Sequence, residues 1–404
     1  MNKKSILSNK AFLSDTILNT IAVAFPVAIL QLFIYPNIAK IVGTEEYGLM
    51  LTIYSIWMIF ALNTSEAICS AKIINNEKYI KKNIQGDFLY IAKNWLIVCT
   101  LISLIIICFY RNSASLLRIV LETFITSLIF IVTYFECSFR ISLEYKKIVL
   151  NKIVLSIGYF VGYFLFLYTK LWEFIFIVGY GFSLVFCLAN IFKNKEPLVK
   201  TELYKTTLRD CYILVVPSLI NGLISYADKL VLYPLIGGEE VTIYYVSTLI
   251  GKIVGLAASS LKNVLLTYVS KNEKNDRKLF IKALTIGFVL VFVSYFIIIL
   301  LSKPIINILY SQVSAQVMKY LPITTITAML DVLVCIIYPY VLKYCDTKWQ
   351  ILFSSISAFI YFGISILLLN RFGLIGFCIG TVIGQVLKLL MMIIVYFKKS
   401  PIEN

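Results

Sequence analysis

The chain alternates long apolar runs with short polar connections almost from its start to its end. Each run is long enough for a helix to cross about 30 Å of hydrocarbon. The pattern predicts an all-α, polytopic integral membrane protein with about 12 transmembrane helices. The predicted spans are residues 15–40, 47–68, 88–109, 116–138, 150–168, 171–192, 211–236, 241–269, 279–302, 317–342, 349–369 and 372–397.

Composition agrees with this pattern, since 60% of the residues are hydrophobic and only 14% are charged. Soluble domains average roughly 25% charged residues. A net charge of +16 would suggest a nucleic-acid partner in a soluble protein, but here the charges follow topology. One set of alternate connections, with both termini, holds 25 Lys and Arg, against seven in the other set. The positive-inside rule therefore predicts cytoplasmic termini, and no nucleic-acid partner is inferred.

The first apolar run and the cysteine and histidine content narrow the functions that the chain can have. The first apolar run is too long for a signal-peptide core and lacks a small-residue cleavage pattern, so we expect it to be retained. Nine cysteines occur without a CxxC pair, and the chain has no histidine. These features predict no metal site and no cofactor. Any coupling to protons would therefore use carboxylates.

The two halves of the chain show a weak internal repeat. Pro26 lies in the first span as Pro217 lies in the seventh, and each span is followed by a related turn. The turns read Gly-Thr-Glu-Glu at 43–46 and Gly-Gly-Glu-Glu at 237–240, an offset of 194 residues. Common turn chemistry is the alternative explanation. A repeat of six spans predicts two pseudo-symmetric lobes related by an axis along the membrane normal. These lobes would be residues 1–203 and 204–404.

Two stretches carry a resemblance to a known family. They are AKIVGTEEYGLMLTIYS, between the first two spans, and YADKLVLYPLIGGEEVTIYYVSTLIGKI, across the seventh and eighth. With the number of spans and the loop lengths, they resemble the Wzx-type polysaccharide flippases. That family belongs to the superfamily that also holds multidrug antiporters and lipid II flippases (the MATE-like, or MOP, fold).

The resemblance implies a fold, a substrate and a location. The two six-helix lobes would open alternately to either face of a bacterial cytoplasmic membrane, with the first, second, seventh and eighth spans lining the cavity. The substrate class would be an oligosaccharide repeat unit on undecaprenyl pyrophosphate, destined for surface polysaccharide such as O-antigen or capsule. Such a chain is a transporter rather than an enzyme, and contact with a polysaccharide polymerase and chain-length machinery is expected.

A lysine lies near the middle of the eighth span. A charge at that depth costs roughly 2.5 to 3.5 kcal/mol, so Lys252 needs a partner, a wet cavity or a substrate. With Lys262 on the same helix face, it could bind pyrophosphate as a compact point charge. The alternatives are an ion pair between Lys252 and Asp228, and a snorkelling Lys262. Helical spacing places five residues on this face: Thr248, Lys252, Gly255, Ser259 and Lys262.

Other spans offer further substrate-binding candidates. Hydrogen-bonding groups on one face of the seventh span, and polar or aromatic residues in the first two spans, would suit a saccharide. Packing is the alternative for Tyr54 and Trp57, and a structural ion pair is the alternative for Asp228 and Lys229. The candidates are Asn221, Ser225, Asp228, Lys229, Gln31, Tyr54 and Trp57.

Three carboxylates within spans are candidates for coupling to a H⁺ or Na⁺ gradient: Glu122, Glu136 and Asp331. The alternative is local pairing, Glu122 with Arg118 and Glu136 with Arg140, each four residues away. Asp331 has no such neighbour, which makes it the better coupling candidate.

Two other functions remain open at this point. A cation-drug antiporter of the same fold expects a cavity dominated by carboxylates, and Lys252 argues against it. A membrane polysaccharide polymerase or glycosyltransferase expects a sizeable catalytic loop outside the membrane, and the connections on that side are short.

Overall fold

A computed structural model describes residues 24–111, 115–191, 196–271, 277–345 and 347–399. The described residues form helices joined by short connections and contain no strand, which confirms the predicted all-α fold class. Ten helical segments of the described chain are long and apolar enough to cross a membrane; the last two helices are counted as one, and Gly238–Lys271 is not among the ten. Residues 15–23 of the first predicted span lie outside the described ranges.

The helices of the described chain follow the predicted apolar runs. The last two are continuous except at Gly373, whose backbone is not helical (φ 61°, ψ −150°). The bounds are α1 Ala24–Val42, α2 Thr44–Lys82, α3 Phe88–Tyr110, α4 Leu116–Ile141, α5 Tyr145–Thr169, α6 Glu173–Ile191, α7 Tyr204–Ile236, α8 Gly238–Lys271, α9 Arg277–Leu309, α10 Ser314–Tyr344, α11 347–372 and α12 374–399.

The chain forms two compact units, Met1–Leu235 and Ile236–Asn404. Their boundary falls at the end of α7, one helix later than the predicted boundary between lobes. The reason is that α7 bonds to the earlier helices: Thr207 shares a hydrogen bond with Tyr79, and Leu230 accepts one from Tyr110. The assignment of α7 to a second sequence repeat stays a prediction.

The first unit is held by helix packing around a buried aromatic group. α5 packs on α6, and α4 contacts α2, α3 and α6. Trp57, Trp172 and Phe176 are fully buried and lie with their ring centroids 5.2 to 6.2 Å apart. Long apolar side chains on the outer helix faces are exposed, as expected for surfaces that meet lipid rather than water.

The second unit has a separate core. Phe280 of α9 stacks on Tyr396 of α12 with ring centroids 3.8 Å apart. Leu333 and Ile337 of α10 belong to the same buried core as these two rings. α10 also packs along α8, so it forms the centre of the unit.

The two turns of the predicted repeat have the same local geometry. Gly43 and Gly237 have φ of 86° and 94°, a region that L-residues with side chains rarely adopt. Each glycine carbonyl accepts a hydrogen bond from the backbone N–H four residues later, in Tyr47 and Val241. Each next helix then carries two glutamates in its first turn, where the helix dipole favours negative charge. The structural match supports the predicted similarity of these turns.

Candidate functional site

Two interruptions of helical bonding lie beside each other in the first unit. α2 contains a π-helical segment, Met58–Leu62, and α7 contains Pro217 in its interior. A π segment widens the turn, and an interior proline lacks the N–H that would continue the ladder. The Ser218 hydroxyl of α7 donates to the Asn63 carbonyl of α2 at 3.1 Å. The backbone carbonyl of Asn63, which follows the π-helical segment, therefore takes part in a contact between α2 and α7.

A cavity of about 440 Å³ opens between these interruptions. Its polar lining consists of amide, hydroxyl and phenol groups, and none of the described side chains that line it is charged. Gly222 keeps α2 and α7 close, because a Cβ on it would lie 2.1 Å from Asn63 Nδ2 and 3.6 Å from Ile59 Cα. The lining residues are Asn63, Leu214, Pro217, Ser218, Asn221, Gly222, Ser225 and Tyr226.

A polar network lies near the Tyr226 end of the cavity, where Glu66 acts electrostatically on Tyr226. Arg140 lies 3.5 Å from Glu66 and 3.7 Å from Glu136, which confirms the predicted pairing of Glu136 with Arg140. Lys152 of α5 lies closer still, 2.7 Å from Glu136 Oε2. Asn151 donates to the same oxygen at 3.0 Å. The two carboxylates of this network are thus balanced by two cations.

A second charged group joins the starts of α2, α4 and α6 to the end of α3. We call Glu46, Arg111, Arg118, Glu122 and Glu173 the arginine cluster. Arg111 reaches Glu122 with Nη2 at 2.5 Å and Nε at 2.9 Å from Oε1. Arg118 pairs instead with Glu173 and Glu46, at 2.7 and 2.8 Å. The predicted pairing of Glu122 with Arg118 is therefore corrected, because Arg111 takes that carboxylate.

Arg111 itself lies outside the spans. Burial lowers the pKa of its guanidinium, but contacts with Glu122 and Glu46 outweigh burial and raise that pKa above the ordinary value. Arg111 therefore remains a fixed cation.

The remaining candidates of the first unit have different surroundings. Asn221 and Ser225 line the cavity, and the Ser225 hydroxyl donates to the Asn221 carbonyl at 2.8 Å. Asp228 and Lys229 are buried next to each other, with Lys229 Nζ 3.4 Å from Asp228 Oδ1. Gln31 is half-buried in a second π-helical segment, Leu30–Ile34.

The two aromatic candidates lie against other rings. Trp57 is fully buried and donates from Nε1 to the Glu122 carbonyl at 3.0 Å. Tyr54 packs within 6.0 to 6.3 Å of Phe176, Trp57 and Tyr35, measured between ring centroids. These contacts agree with the packing alternative, and sugar stacking stays a prediction.

In the second unit, the exposed Lys252 holds Nζ 5.4 Å from the centre of the Tyr245 ring. Lys262 Nζ lies 5.2 Å from the centre of the Tyr338 ring. Asp331 of α10 interacts electrostatically with Lys388 of α12. This oppositely charged residue lies on another helix, so spacing along α10 does not predict it. The Ser259 side chain lies outside the described part of the chain.

Sequence reasoning missed three kinds of residue. Asn63, Ser218 and Tyr226 line the cavity but look ordinary within apolar runs, although Pro217 marked the position. Arg111 was counted only as a topological charge. Lys152 and Lys388 come from other helices than the carboxylates they face, so no spacing within one helix reveals them.

Comparisons with known proteins place this architecture. No protein-family model matches the chain, and no curated protein matches it by sequence. Lipid II flippase MurJ in an inward closed conformation is similar in structure, with TM-score 0.68 and 16% identity over 95% of this chain and 88% of MurJ. An inward-facing multidrug resistance MATE family transporter of the MOP superfamily gives TM-score 0.63 and 15% identity over 94% and 98%.

A eukaryotic MATE transporter, AtDTX14, gives TM-score 0.60 and 13% identity, with 96% of each chain covered. Identities this low carry the fold and no more. The chain therefore has the MATE-type fold of the MOP superfamily, the fold shared by these multidrug transporters and the lipid II flippase.

Proposed function

We propose that this chain is a flippase. It would move oligosaccharide repeat units linked to undecaprenyl pyrophosphate across the bacterial cytoplasmic membrane by alternating access, for surface polysaccharide synthesis. The observation that carries the proposal is the cavity at Pro217, whose lining, in the part of the chain that the structure describes, consists of amide, hydroxyl, phenol and apolar groups without a charged side chain. Likeness in fold to a lipid II flippase supports it.

The chemistry of a saccharide suits this lining. Sugar hydroxyls that leave water need hydrogen-bond donors and acceptors in its place, because an unpaired buried polar group costs free energy. Amides and hydroxyls supply both roles. A cationic drug would instead require uncompensated negative charge, but the carboxylates that interact electrostatically with the lining Tyr226, Asp228 and Glu66, have Lys229 and Arg140 as partners.

The pyrophosphate needs cations, and the second unit supplies candidates. Lys252 is exposed on α8, and Lys262 follows on the same helix face. An ammonium group binds phosphate without rigid geometry, which allows release after crossing.

Depletion of the protein from cells that make a surface polysaccharide tests the function directly. The membrane face on which lipid-linked oligosaccharide accumulates is read with an impermeant saccharide-modifying enzyme added to intact and to opened cells. Accumulation on the cytoplasmic face is expected. Accumulation of unpolymerised units on the external face would replace the proposal with a polymerase. Unchanged polysaccharide together with increased drug retention would replace it with a multidrug antiporter.

Lys252→Ala is expected to abolish transport while leaving membrane abundance unchanged, because the exposed ammonium contributes charge rather than core packing. Surface polysaccharide and protein abundance are measured together in a deletion strain carrying the variant. Lys282→Ala, which removes an exposed lysine of α9, is the matched control and should transport normally. Normal surface polysaccharide in Lys252→Ala would reject the role of Lys252.

Asp331→Asn is expected to remove the acceleration of transport by an imposed H⁺ or Na⁺ gradient. The reason is that the amide keeps the shape of the carboxylate but binds neither ion as an anion would. Transport into proteoliposomes with and without each gradient measures the effect. Glu202→Gln, an exposed partner of Lys82, is the control. A gradient response equal to that of the unmodified protein would exclude Asp331 as the coupling group.

A further inference from the structure

The arginine cluster converges on a single nitrogen. Nη2 of Arg111 lies 2.9 Å from Glu46 Oε1, 2.5 Å from Glu122 Oε1 and 3.6 Å from Glu173 Oε1. Arg118 bridges Glu46 and Glu173 from the other side. The side chains of Glu122 and Glu173 have no exposure to solvent. Three carboxylates from three helices thus share two guanidinium groups.

The charges of this cluster do not balance. With every group ionised, three carboxylates against two guanidiniums leave one negative charge in excess. The other described groups that face the cluster do not compensate for this charge: Trp172 donates a neutral N–H to Glu46 at 3.0 Å. Tyr233 of α7 interacts electrostatically with Glu46, Arg111 and the exposed Glu45. Its phenol is neutral and adds no positive charge. A buried unpaired charge is costly, so one more positive charge is required.

Two carboxylate oxygen atoms of the cluster are available to bind that positive charge. Glu122 Oε2 and Glu173 Oε2 are buried and accept no hydrogen bond from any described residue. One proton on either atom neutralises the excess. A metal ion would need more ligands, since hard cations such as Ca²⁺ take six to eight oxygens. No group of His, Cys, Asp and Glu residues suited to a metal occurs in the described chain.

The helix dipoles assign the proton to one of the three acids. Glu46 and Glu173 lie in the first turns of α2 and α6, where the positive end of the helix stabilises an ionised carboxylate. The first turn of α4 contains no acid, and Glu122 lies beyond it. Glu122 is therefore the acid with the least support for its negative charge.

We propose that Glu122 is a proton-binding site, which holds one exchangeable proton on its carboxyl group while the arginine cluster is assembled. Release converts the carboxylic acid to a carboxylate and passes the proton to water at that end of the unit. The cluster then carries an uncompensated negative charge and is destabilised.

The site is also connected to the cavity helix. Tyr110, the residue before Arg111, donates from its hydroxyl to the Leu230 carbonyl of α7 at 2.7 Å and packs on Tyr233. A change in the cluster therefore reaches α7, which lines the cavity. This coupling to transport rests on the proposed flippase function, whereas the proton site itself does not.

Infrared spectroscopy of the purified full-length protein in lipid nanodiscs tests the proton site without any substrate. A carbonyl band of a buried carboxylic acid is expected at neutral pH, and it should be absent from Glu122→Gln. The matched control Glu144→Gln, which changes a half-exposed glutamate outside the cluster, should keep the band. A neutral-pH spectrum with no such band, or a band that persists in Glu122→Gln, would overturn the proposal.

Thermal unfolding provides a second readout that guards against misfolding of the variant. Glutamine mimics the protonated acid, so Glu122→Gln should fold and keep its melting temperature in alkaline buffer, where the unmodified protein loses stability. Equal alkaline losses in both proteins would contradict the assignment to Glu122. A sodium-dependent rise in melting temperature that Glu122→Gln abolishes would replace the proton with a sodium ion. Because neither measurement involves saccharide, a failure of the flippase proposal would leave both results unchanged.

Discussion

Arg111→Ala is expected to cost about 3–5 kcal/mol of folding free energy, the penalty for leaving buried ion-pair partners without their cation. Arg111 is 6% exposed and is the one guanidinium of the cluster within 3.6 Å of all three glutamates. Its removal leaves the carboxylates of Glu46 and Glu173 with Arg118 as their one cation and the buried acid of Glu122 with none. The starts of α2, α4 and α6 would then repel one another.

Membrane abundance and melting temperature in detergent measure this loss. Arg209→Ala, which removes an exposed arginine at the start of α7, is the matched control and should behave like the unmodified protein. The double variant Arg111→Ala with Glu46→Gln should recover part of the stability, because it removes one of the stranded negative charges. A melting temperature of Arg111→Ala equal to that of the unmodified protein would show that the cluster does not hold these helices together.

The second large effect is expected from Gly222→Leu, which places a side chain in the cavity between α2 and α7. The new Cβ lies 2.1 Å from Asn63 Nδ2, an atom at the end of a side chain that can move, and the rest of the leucine enters the 440 Å³ space. The protein should still fold. Binding of a saccharide should fail, because the leucine displaces both the volume and the Asn63 amide.

Transport of lipid-linked oligosaccharide in proteoliposomes measures this effect, and we expect a decrease of about tenfold or more, equivalent to at least roughly 1.4 kcal/mol. Gly222→Ala should give a smaller decrease, because Asn63 need only rotate away. Gly181→Leu is the control, since a Cβ at Gly181 meets no atom within 4 Å. Wild-type transport by Gly222→Leu would exclude this cavity from the substrate path.

Much of the fold was predictable because membrane-spanning helices leave a strong record in the sequence. The apolar runs located the described helices, since hydrocarbon solvates no backbone polar group and a helix satisfies all of its own. The glycines at 43 and 237 could be matched by their offset, because a positive φ at a turn favours glycine. The common face of Asn221 and Ser225, which both line the cavity, was predictable because a spacing of four residues defines one helix face.

The partners of the charged groups were predictable only within a helix. The pairing of Glu136 with Arg140 follows from four-residue spacing, and the structure contains it. Glu136 lies closer to Lys152 of α5, at 2.7 Å, than to Arg140, at 3.7 Å. Glu122 pairs with Arg111, at the end of α3, rather than with Arg118. Which helix faces which residue depends on packing between helices.

The sequence by itself therefore determined the spans, the turns and the polar faces of this protein, because each follows from local geometry and from the cost of burying polar groups. Only the tertiary structure decided that Asn63 of α2 meets Ser218 and Gly222 of α7, and that three glutamates meet at Arg111. The physical reason is that these contacts join residues 11 to 159 positions apart in the sequence. Side-chain volumes and helix interruptions determine which helix faces pack together, and hydrophobic periodicity along the chain does not predict that packing.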